Sequence, residues 1–273
     1  AAAAAAAAPP SESFSILTQL ARVRQHVGYC PQYDALQGTM TAREHLAFFG
    51  TLRGLSRAAA NDAASALIRR LGLEKYADVP AAGYSGGTKR KLSVAIALVG
   101  DPAVVLLDEP STGMDPKSRR RLWRALATAS RGRCLVLTSH SMEECEALCA
   151  RVGIMVAGKM RCLGDVQALK SAYGEGYTLD LRVPNVADVA RVRRHVEREI
   201  PGARETEAHA SRVRYRLPSM ALARGGKASV ADAFASLEGT KTRLGIEDYQ
   251  LGQTTLEEVF LRFAEEAADA DDD

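Results

Sequence analysis

The sequence predicts an α/β protein in which a mainly parallel sheet with a helical subdomain is followed by a smaller α+β domain. The main evidence is two apolar runs, 104–107 and 135–137, each followed at once by polar residues. Such runs are typical of parallel strands buried on both faces, and open α/β sheets place ligands at the carboxyl ends of their strands. A helix predicted to begin at Pro116 separates the two runs. Beyond residue 174 the pattern changes to strand, helix, strand, strand, helix and strand.

The composition is that of an ordinary globular chain. Hydrophobic residues make up 47% of the 273 residues, charged residues make up 25%, and the net charge is +3. This charge does not favour nucleic acid as a partner, and no apolar run reaches the roughly eighteen residues that a membrane span needs. The five cysteines follow no disulfide spacing. They indicate free thiols in a reducing compartment, and core packing is favoured over a metal site.

The N-terminal segment is of low complexity. Residues 1–20 begin with eight alanines and two prolines, and we expect them to be disordered because so short an alanine run cannot hold a helix alone. A strand is predicted over 23–29, and Gln32 follows it in the sequence Gly-Tyr-Cys-Pro-Gln.

A small helical subdomain is predicted over about 36–84. Thr41 and Glu44 have the spacing of a capping box, which starts a helix. The alanine-rich segment 56–71 has apolar residues on one stripe and predicts a second, amphipathic helix.

A polar turn with two glycines opens the next predicted helix, which extends to about residue 100. In Ser85-Gly86-Gly87, followed by Thr88, the glycines allow a phosphate to approach the backbone, and the helix N-terminus offers free N–H groups. Lys91, one turn further on, is expected to be part of a solvated basic surface.

The candidate chemistry follows the two apolar runs. Asp108 and Glu109 end the first run, and Thr-Ser-His140 ends the second. One site could therefore hold a Mg²⁺ ligand, a general base and a histidine that faces phosphate. The sequence from Ser141 to Glu144 predicts another capping box directly after the histidine.

The C-terminal part predicts a ferredoxin-like domain over 174–264. A hairpin over 151–163 and a helix over 165–173 are expected to close the first domain, 21–173. The βαββαβ order then indicates the ferredoxin-like arrangement, with a last helix capped by Thr255 and Glu258. Residues 265–273 form an acidic tail, which we expect to be disordered.

These motifs together resemble the ATP-binding cassette of ABC transporters. Residues 85–90 match the signature motif, with Tyr84 and Thr88 where Leu and Gln are commoner. Residues 104–110 match the Walker B motif and its glutamate, 111–115 match the D-loop, Gln32 the Q-loop and His140 the switch histidine. Over about 23–264 the chain looks most like the second cassette of subfamily A, whose members are lipid exporters.

The resemblance implies ATP and Mg²⁺ as ligands and a function for each motif. Asp108 and Gln32 would meet Mg²⁺, Glu109 would be the general base, and His140 would contact the γ-phosphate. A second nucleotide-binding domain would form the other half of a sandwich dimer. The residues that serve the nucleotide of that opposite half would be Ser85, Gly86, Gly87, Thr88 and Asp115.

The resemblance also implies partners and a location. The cassette would couple ATP hydrolysis to transport, with lipid as the expected cargo, through transmembrane domains at the cytoplasmic face of a membrane. No nucleic acid is expected as a partner. Which substrate is carried, and in which direction, is decided by membrane domains.

One motif of a complete cassette does not occur in the sequence. No Gly-x-x-x-x-Gly-Lys-[Ser/Thr] precedes Gln32. The chain therefore resembles a cassette without its P-loop portion, which leaves two alternatives to the transport ATPase. One is a non-hydrolysing cassette that acts as a binding or regulatory piece. The other is a soluble cassette ATPase acting on ribosomes or DNA, which the modest net charge and the C-terminal segment disfavour.

Overall fold

The computed structural model describes residues 13–174, 176–200, 202–209, 211–217 and 230–269. The chain divides into two compact units, Ala1–Leu148 and Cys149–Asp273. The first unit is built on a parallel sheet and the second on antiparallel strands, so the predicted α/β class is confirmed. None of the described helices is both long enough and apolar enough to cross a bilayer.

The sheet of the first unit has three parallel strands in the order β1-β2-β3. Their bounds are Val27–Cys30 for β1, Val104–Asp108 for β2 and Cys134–Thr138 for β3. Pairing of β1 with β2 ends at Cys30 and Leu107, whereas β2 and β3 stay paired to Asp108 and Thr138. The two strands predicted from the apolar runs are therefore direct neighbours, and their carboxyl ends meet.

Two details of the predicted strands are wrong. The first strand begins at Val27, because Leu20–His26 forms helix α1 and β2 offers no partner before Val104. The sheet is also not buried on both faces. Leu106 and Val136 lie side by side with 37% and 51% of their surface exposed. Each is followed directly by a residue that points to the opposite face of the strand pleat, buried Leu107 and half-buried Leu137, so only one face of the sheet is covered.

Helices cover the other face of this sheet. Helix α4 (Gly86–Leu98) packs against β1 and β2 so closely that a Cβ atom on Gly28 would lie 2.0 Å from the carbonyl oxygen of Ala97. Helices α2 (Ala42–Leu52) and α3 (Arg57–Leu71) pack on each other and on α4, as the predicted helical subdomain requires. The bounds of the next two helices are Pro116–Ala129 for α5 and Met142–Leu148 for α6.

The predicted capping boxes differ in outcome. Thr41 and Glu44 bond to each other's backbone N–H groups, and Thr255 and Glu258 do the same, so both boxes are confirmed. At α6, Ser141 accepts from the N–H of Glu144, but the Glu144 side chain turns inward to Trp123. That box is therefore only half formed, because the carboxylate has a buried donor within reach.

The second unit contains a hairpin and a four-stranded antiparallel sheet. The hairpin strands are β4 (Val152–Val156) and β5 (Lys159–Gly164), and α7 (Val166–Tyr173) follows them. The larger sheet has the order β7-β8-β6-β9. Its strands are β6 (Tyr177–Arg182), β7 (Arg204–His209), β8 (Arg212–Leu217) and β9 (Asp248–Gln253).

In the described part of this unit three further helices accompany the sheet, and the topology matches the predicted ferredoxin-like order. They are α8 (Val186–Glu199), α9 (Val230–Leu244) and α10 (Leu256–Asp269). Helices α8 and α9 pack side by side, and their apolar residues form one core with β6 and β8. The last helix extends through Asp269, into the segment predicted as tail, and contacts α7 and β4. Residues 1–12 and 270–273 lie outside the described part of the chain.

Candidate functional site

A residue at the end of β3 contacts two predicted site residues, Asp108 and Glu109, at the end of β2. Thr138, opposite Asp108 in the strand register, donates its hydroxyl to Asp108 Oδ1 at 2.5 Å. The same hydroxyl oxygen and the carbonyl oxygen of Thr138 both lie 3.2 Å from the backbone nitrogen of Glu109. One threonine therefore orients the side chain of Asp108 and the backbone of Glu109, and the sequence analysis had assigned it no role.

Glu109 lies directly beside His140. Its Oε2 is 2.8 Å from His140 Nδ1 and also accepts the hydroxyl of Thr112 at 2.8 Å. Because an ionised carboxylate only accepts hydrogen bonds, Nδ1 is the donor in this contact, and Nε2 takes no part in it. The Glu109 side chain is 17% exposed and that of His140 is 73% exposed, so the pair opens to solvent through the histidine.

The backbone of Glu109 is held in an unusual conformation. Its φ angle is +49°, in the left-handed region that few residues other than glycine adopt. Such strain is maintained only where surrounding contacts determine it, and it occurs preferentially at functional sites. Here the contacts from Thr138, Thr112 and His140 supply that restraint.

The loop that carries Gln32 is joined to the end of β2 through Arg90. The guanidinium of Arg90 donates to the carbonyl oxygens of Pro31 and Gln32 and to those of Asp108, Glu109 and Pro110. The Gln32 residue itself is exposed. Arg90 was identified from the sequence only as part of the matched signature motif, and its position between Lys89 and Lys91 gave no signal for these contacts.

The expectation for the neighbouring Lys91 is wrong. It was predicted to lie on a solvated surface, but it is only 9% exposed. Burial lowers the pKa of the Lys91 ammonium group, and the positive charge of Arg121 acts in the same direction. The reason is that α4 packs against helices and the sheet on several sides, so few of its residues face solvent.

The glycine turn is the N-terminus of α4, as predicted. Ser85 is the N-cap, and its hydroxyl accepts the N–H of Thr88 at 3.3 Å. The Ser85 and Thr88 hydroxyl oxygens are 2.9 Å apart. The N–H groups of Gly86 and Gly87 precede the first intrahelical bond, and the first turn contains no acidic residue. The turn can therefore donate to an anion.

Asp115 caps helix α5 and sits at a different helix end. Its Oδ1 accepts the N–H groups of Lys117 and Ser118, each at 3.0 Å. Hydrogen bonding from Ser118 is the main cause that holds the pKa of the Asp115 carboxyl below its usual value. The structure therefore groups Asp108, Glu109 and His140 directly, and it places Asp115 at a helix start of its own.

The buried carboxylate of Glu144 stabilises the turn that carries His140 through hydrogen bonds. Glu144, 1% exposed, accepts the indole N–H of Trp123 at 2.9 Å and the hydroxyl of Ser139 at 2.6 Å. Ser139 Oγ also accepts the N–H of Ser141 at 3.0 Å. Residues on both sides of His140 are thereby tied to helix α5. Trp123 and Glu144 are 21 positions apart, and no local pattern in the sequence predicts this hydrogen bond.

The oxygen donors at the site fit a magnesium ion whose ligands come partly from the protein and partly from a phosphate. Across the described residues, no group of three or more His, Cys, Asp or Glu side chains is arranged to hold a metal. Mg²⁺ characteristically binds through one or two carboxylates together with substrate phosphates and water. A single carboxylate at Asp108, ordered by Thr138, meets that description.

Two family models match the chain. Residues 8–112 match the ABC transporter family, and residues 174–253 match the ABCA1-like, C-terminal R1 regulatory domain. The first match includes the signature turn and the two carboxylates after β2. The second covers β6–β9 of the ferredoxin-like sheet.

Curated relatives match over nearly the whole chain. Human ATP-binding cassette sub-family A member 2 is 48% identical over 93% of the chain, and human phospholipid-transporting ATPase ABCA7 is 50% identical over 90%. Human retinal-specific phospholipid-transporting ATPase ABCA4 is 45% identical over 94%. The chain spans only about a tenth of the length of these relatives, 10% to 11%.

A solved structure titled as the ATP binding subunit of an ABC transporter has a related fold. It superposes with a TM-score of 0.53 over 59% of this chain and 68% of its own, at 24% identity. At that identity the likeness establishes the fold class alone, which agrees with the parallel sheet of the first unit.

Proposed function

We propose that this chain, which belongs to subfamily A of the ATP-binding-cassette transporters, supplies the metal-binding and water-activating residues of a transport-coupled ATPase. The observation that carries the proposal is the contact between Glu109 and His140 beside Asp108, at the ends of two adjacent parallel strands. Phosphoryl transfer to water requires a metal ligand, a base and a charge-stabilising group within one site. Asp108, Glu109 and His140 would supply the metal ligand, the base and the charge-stabilising group, respectively.

Each residue has a defined task in this mechanism. Asp108 would hold Mg²⁺, with Gln32 as a further ligand from its loop, and the ion when bound neutralises charge on the phosphates. Glu109 accepts the proton of the attacking water at its carboxylate. His140 is oriented by its Nδ1 contact with Glu109, and in the protonated imidazolium the Nε2–H would donate to the γ-phosphate.

The glycine turn would act on a second nucleotide. In the proposed sandwich dimer, Ser85, Gly86, Gly87 and Thr88 donate to the γ-phosphate held by the opposite nucleotide-binding domain. The free N–H groups and the absence of acidic side chains in the first turn of α4 support this role. Asp115 would lie at the dimer seam.

A P-loop segment from outside these 273 residues would complete the site. The sequence has no Gly-x-x-x-x-Gly-Lys-[Ser/Thr] motif. Leu106, Val136 and Tyr29 form an apolar, exposed row across one face of the parallel sheet, and parallel sheets are normally covered on both faces. We expect the segment that carries the P-loop to cover this row.

The cargo and the membrane partners follow from the relatives. ABCA7 and ABCA4 are named phospholipid-transporting ATPases. We propose that hydrolysis at this site drives the transport of lipid through transmembrane domains, with the cassette at the cytoplasmic face of the membrane.

The test is Glu109→Gln in a chain to which the P-loop segment of a subfamily A relative has been joined ahead of residue 13. The amide cannot accept a proton, so ATP turnover should fall by about 10²–10⁴-fold while bound nucleotide is retained. The matched control is Glu143→Gln, which changes an exposed carboxylate paired with Arg119. If Glu109→Gln turns over ATP as fast as the Glu143 control, the assignment of Glu109 as base is wrong.

The alternative is a cassette that binds or regulates without hydrolysing ATP. The missing P-loop motif favours this alternative for the 273-residue chain by itself. Calorimetric titration of that chain with Mg²⁺–ATP separates the two functions. Binding followed by hydrolysis would exclude the alternative, whereas turnover that appears only after the P-loop segment is joined supports the composite site.

A further inference from the structure

Arg90 occupies an unusual position for a charged residue. It lies in the second turn of α4, four residues after Gly86 (90 − 86), and its side chain is only 5% exposed. At a rise of about 1.5 Å per residue, the backbone of Arg90 lies about 6 Å along the helix axis from that of Gly86. The same rigid helix therefore carries the turn at one end and this cation inside the protein.

The guanidinium is bound almost entirely by backbone carbonyl oxygens. Nε donates to Pro110 at 3.2 Å, and Nη1 donates to Pro31 at 2.5 Å and to Gln32 at 3.2 Å. Nη2 donates to Asp108 and, at 2.9 Å, to Glu109. An arginine has five N–H donors, and five carbonyl oxygens surround this one. Asp34 Oδ1 is further away, at 3.7 Å from Nη1.

These carbonyl groups lie where the strand ladder stops. The pairing of β1 with β2 ends at Cys30 and Leu107, and beyond it β2 is paired only with β3. The five acceptor carbonyl groups belong to the residues that come directly after these last paired positions, 31–32 after Cys30 and 108–110 after Leu107. Pro31 and Pro110 have no N–H to continue a ladder. Arg90 thus replaces the missing ladder and sets the distance between the Gln32 loop and the carboxylate segment.

We propose that Arg90 is a positioning residue that links the glycine turn of α4 to the Gln32 loop and the Asp108–Glu109 segment of the same chain. The inference rests on the proposed function, since that function assigns the chemistry to these three segments. A displacement of the turn by nucleotide at the opposite domain then moves the base and the metal ligand of this domain with it.

The chemistry of the contact requires arginine. Hydrogen bonds from a charged donor are stronger than neutral ones, and an unpaired buried charge is strongly unfavourable, so the five carbonyl groups must stay in place around the guanidinium. A lysine keeps the charge but has three donors on a single nitrogen, and it cannot span both segments. Substitution by lysine therefore keeps the positive charge but removes the planar guanidinium with its five N–H donors, so it tests the two properties separately.

The first experiment is hydrogen–deuterium exchange on the 273-residue chain carrying Arg90→Lys. Peptides that cover 27–34 and 104–114 should exchange about tenfold faster or more, because hydrogen bonds to a charged group are lost at both segments. Peptides from α2 and α3 should keep their rates. The control is Arg70→Lys, since Arg70 is an exposed arginine that donates to one carbonyl oxygen, that of Ala125, at 3.3 Å.

Two results of this experiment would overturn the inference. One is exchange in Arg90→Lys that equals that of the unmodified chain. The other is exchange that rises equally throughout the first unit, which would make Arg90 a general contributor to stability. The Arg70 control shows how large an effect follows when one arginine-to-carbonyl hydrogen bond is changed elsewhere in the first unit.

A second measurement separates the inference from the proposed function. In the chain joined to a P-loop segment, Arg90→Lys should lower kcat by about 10–100-fold with little change in the KM for ATP, as loss of an outer-shell contact does. If the unsubstituted protein is active and Arg90→Lys is equally active, the inference is wrong. If the unsubstituted protein is inactive, the proposed function fails, and the exchange data still decide the role of Arg90.

Discussion

The carboxylate of Glu109 lies 2.8 Å from Nδ1 of His140, although the two residues are 31 positions apart in the chain. The contact depends on the parallel pairing of β2 with β3, which brings the residues after both strands to one edge of the sheet. The left-handed backbone of Glu109 turns its side chain toward this edge. The two side chains to which we assign the base and the phosphate contact are thereby held next to each other.

Replacing His140 should remove transition-state stabilisation. In the protein with a joined P-loop segment, His140→Ala should lower ATP turnover by about 10²-fold or more, because one preorganised donor to the developing charge is lost. Nucleotide affinity should change little. Steady-state turnover measures the effect, and His209→Ala, an exposed histidine of β7, is the control. Turnover equal to that of the control would exclude a catalytic role for His140.

Thr138 should matter for metal binding although it is not a candidate ligand. Thr138→Val keeps the shape but removes the hydroxyl that bonds Asp108 Oδ1 and the N–H of Glu109. Loss of such an outer-shell partner typically costs about 10–100-fold in metal affinity or activity. The Mg²⁺ concentration for half-maximal turnover should rise accordingly. Thr128→Val, whose hydroxyl bonds only within helix α5, should leave it unchanged.

The Tyr84 hydroxyl should stabilise the first unit. Tyr84 is 6% exposed, and its hydroxyl oxygen accepts the N–H of Ala42 at 3.3 Å while bonding to the carbonyl oxygens of Tyr76 and Val79. Tyr84→Phe leaves the buried N–H of Ala42 without that partner and removes the hydroxyl bonding to the two carbonyl oxygens, so the free energy of unfolding should fall by about 1–3 kcal/mol. Urea unfolding followed by Trp123 fluorescence measures the change. Tyr33→Phe, at an exposed tyrosine, should have no such effect.

The second unit should lose stability in mild acid because of His195. This histidine is 5% exposed, and its Nε2 lies 3.2 Å from the hydroxyl oxygens of Ser236 and Thr240. Burial is the main cause that lowers the pKa of His195 below its usual value of 6.5. The unfolded chain then binds the proton more readily than the folded one. Stability is therefore full above about pH 6.5 and decreases as the pH falls toward the folded-state pKa.

Urea-dependent hydrogen exchange in α8 peptides, measured from about pH 7.5 down to about pH 5, tests this pH dependence. In His195→Gln the decrease should be smaller, whereas His209→Gln at an exposed site should retain it. A decrease of equal size in all three proteins would assign the acid sensitivity to other groups.

Local patterns predicted the elements that depend on neighbouring residues. The helix starts at Thr41, Ser85 and Thr255 follow from side chains that bond within one turn, and such bonds are readable from spacing alone. Lys91 and Glu144 were misjudged because their environments come from distant elements. Lys91 is buried by packing around α4, and Glu144 is drawn inward by Trp123, which is 21 positions away.

Strand periodicity and motif spacing are local properties, so the amino-acid sequence was enough to predict the α/β class, the ferredoxin-like order of the C-terminal strands and the candidate residues Asp108, Glu109 and His140. Three contacts could not be predicted in this way and became known from the folded chain: Glu109 bonds His140, Thr138 orders Asp108, and Arg90 joins the Gln32 loop to the carboxylate segment. The residues joined by these contacts are 18 to 59 positions apart in the chain. The contacts exist because the parallel register brings strand ends together and a buried guanidinium must satisfy every donor, and no local pattern contains either constraint.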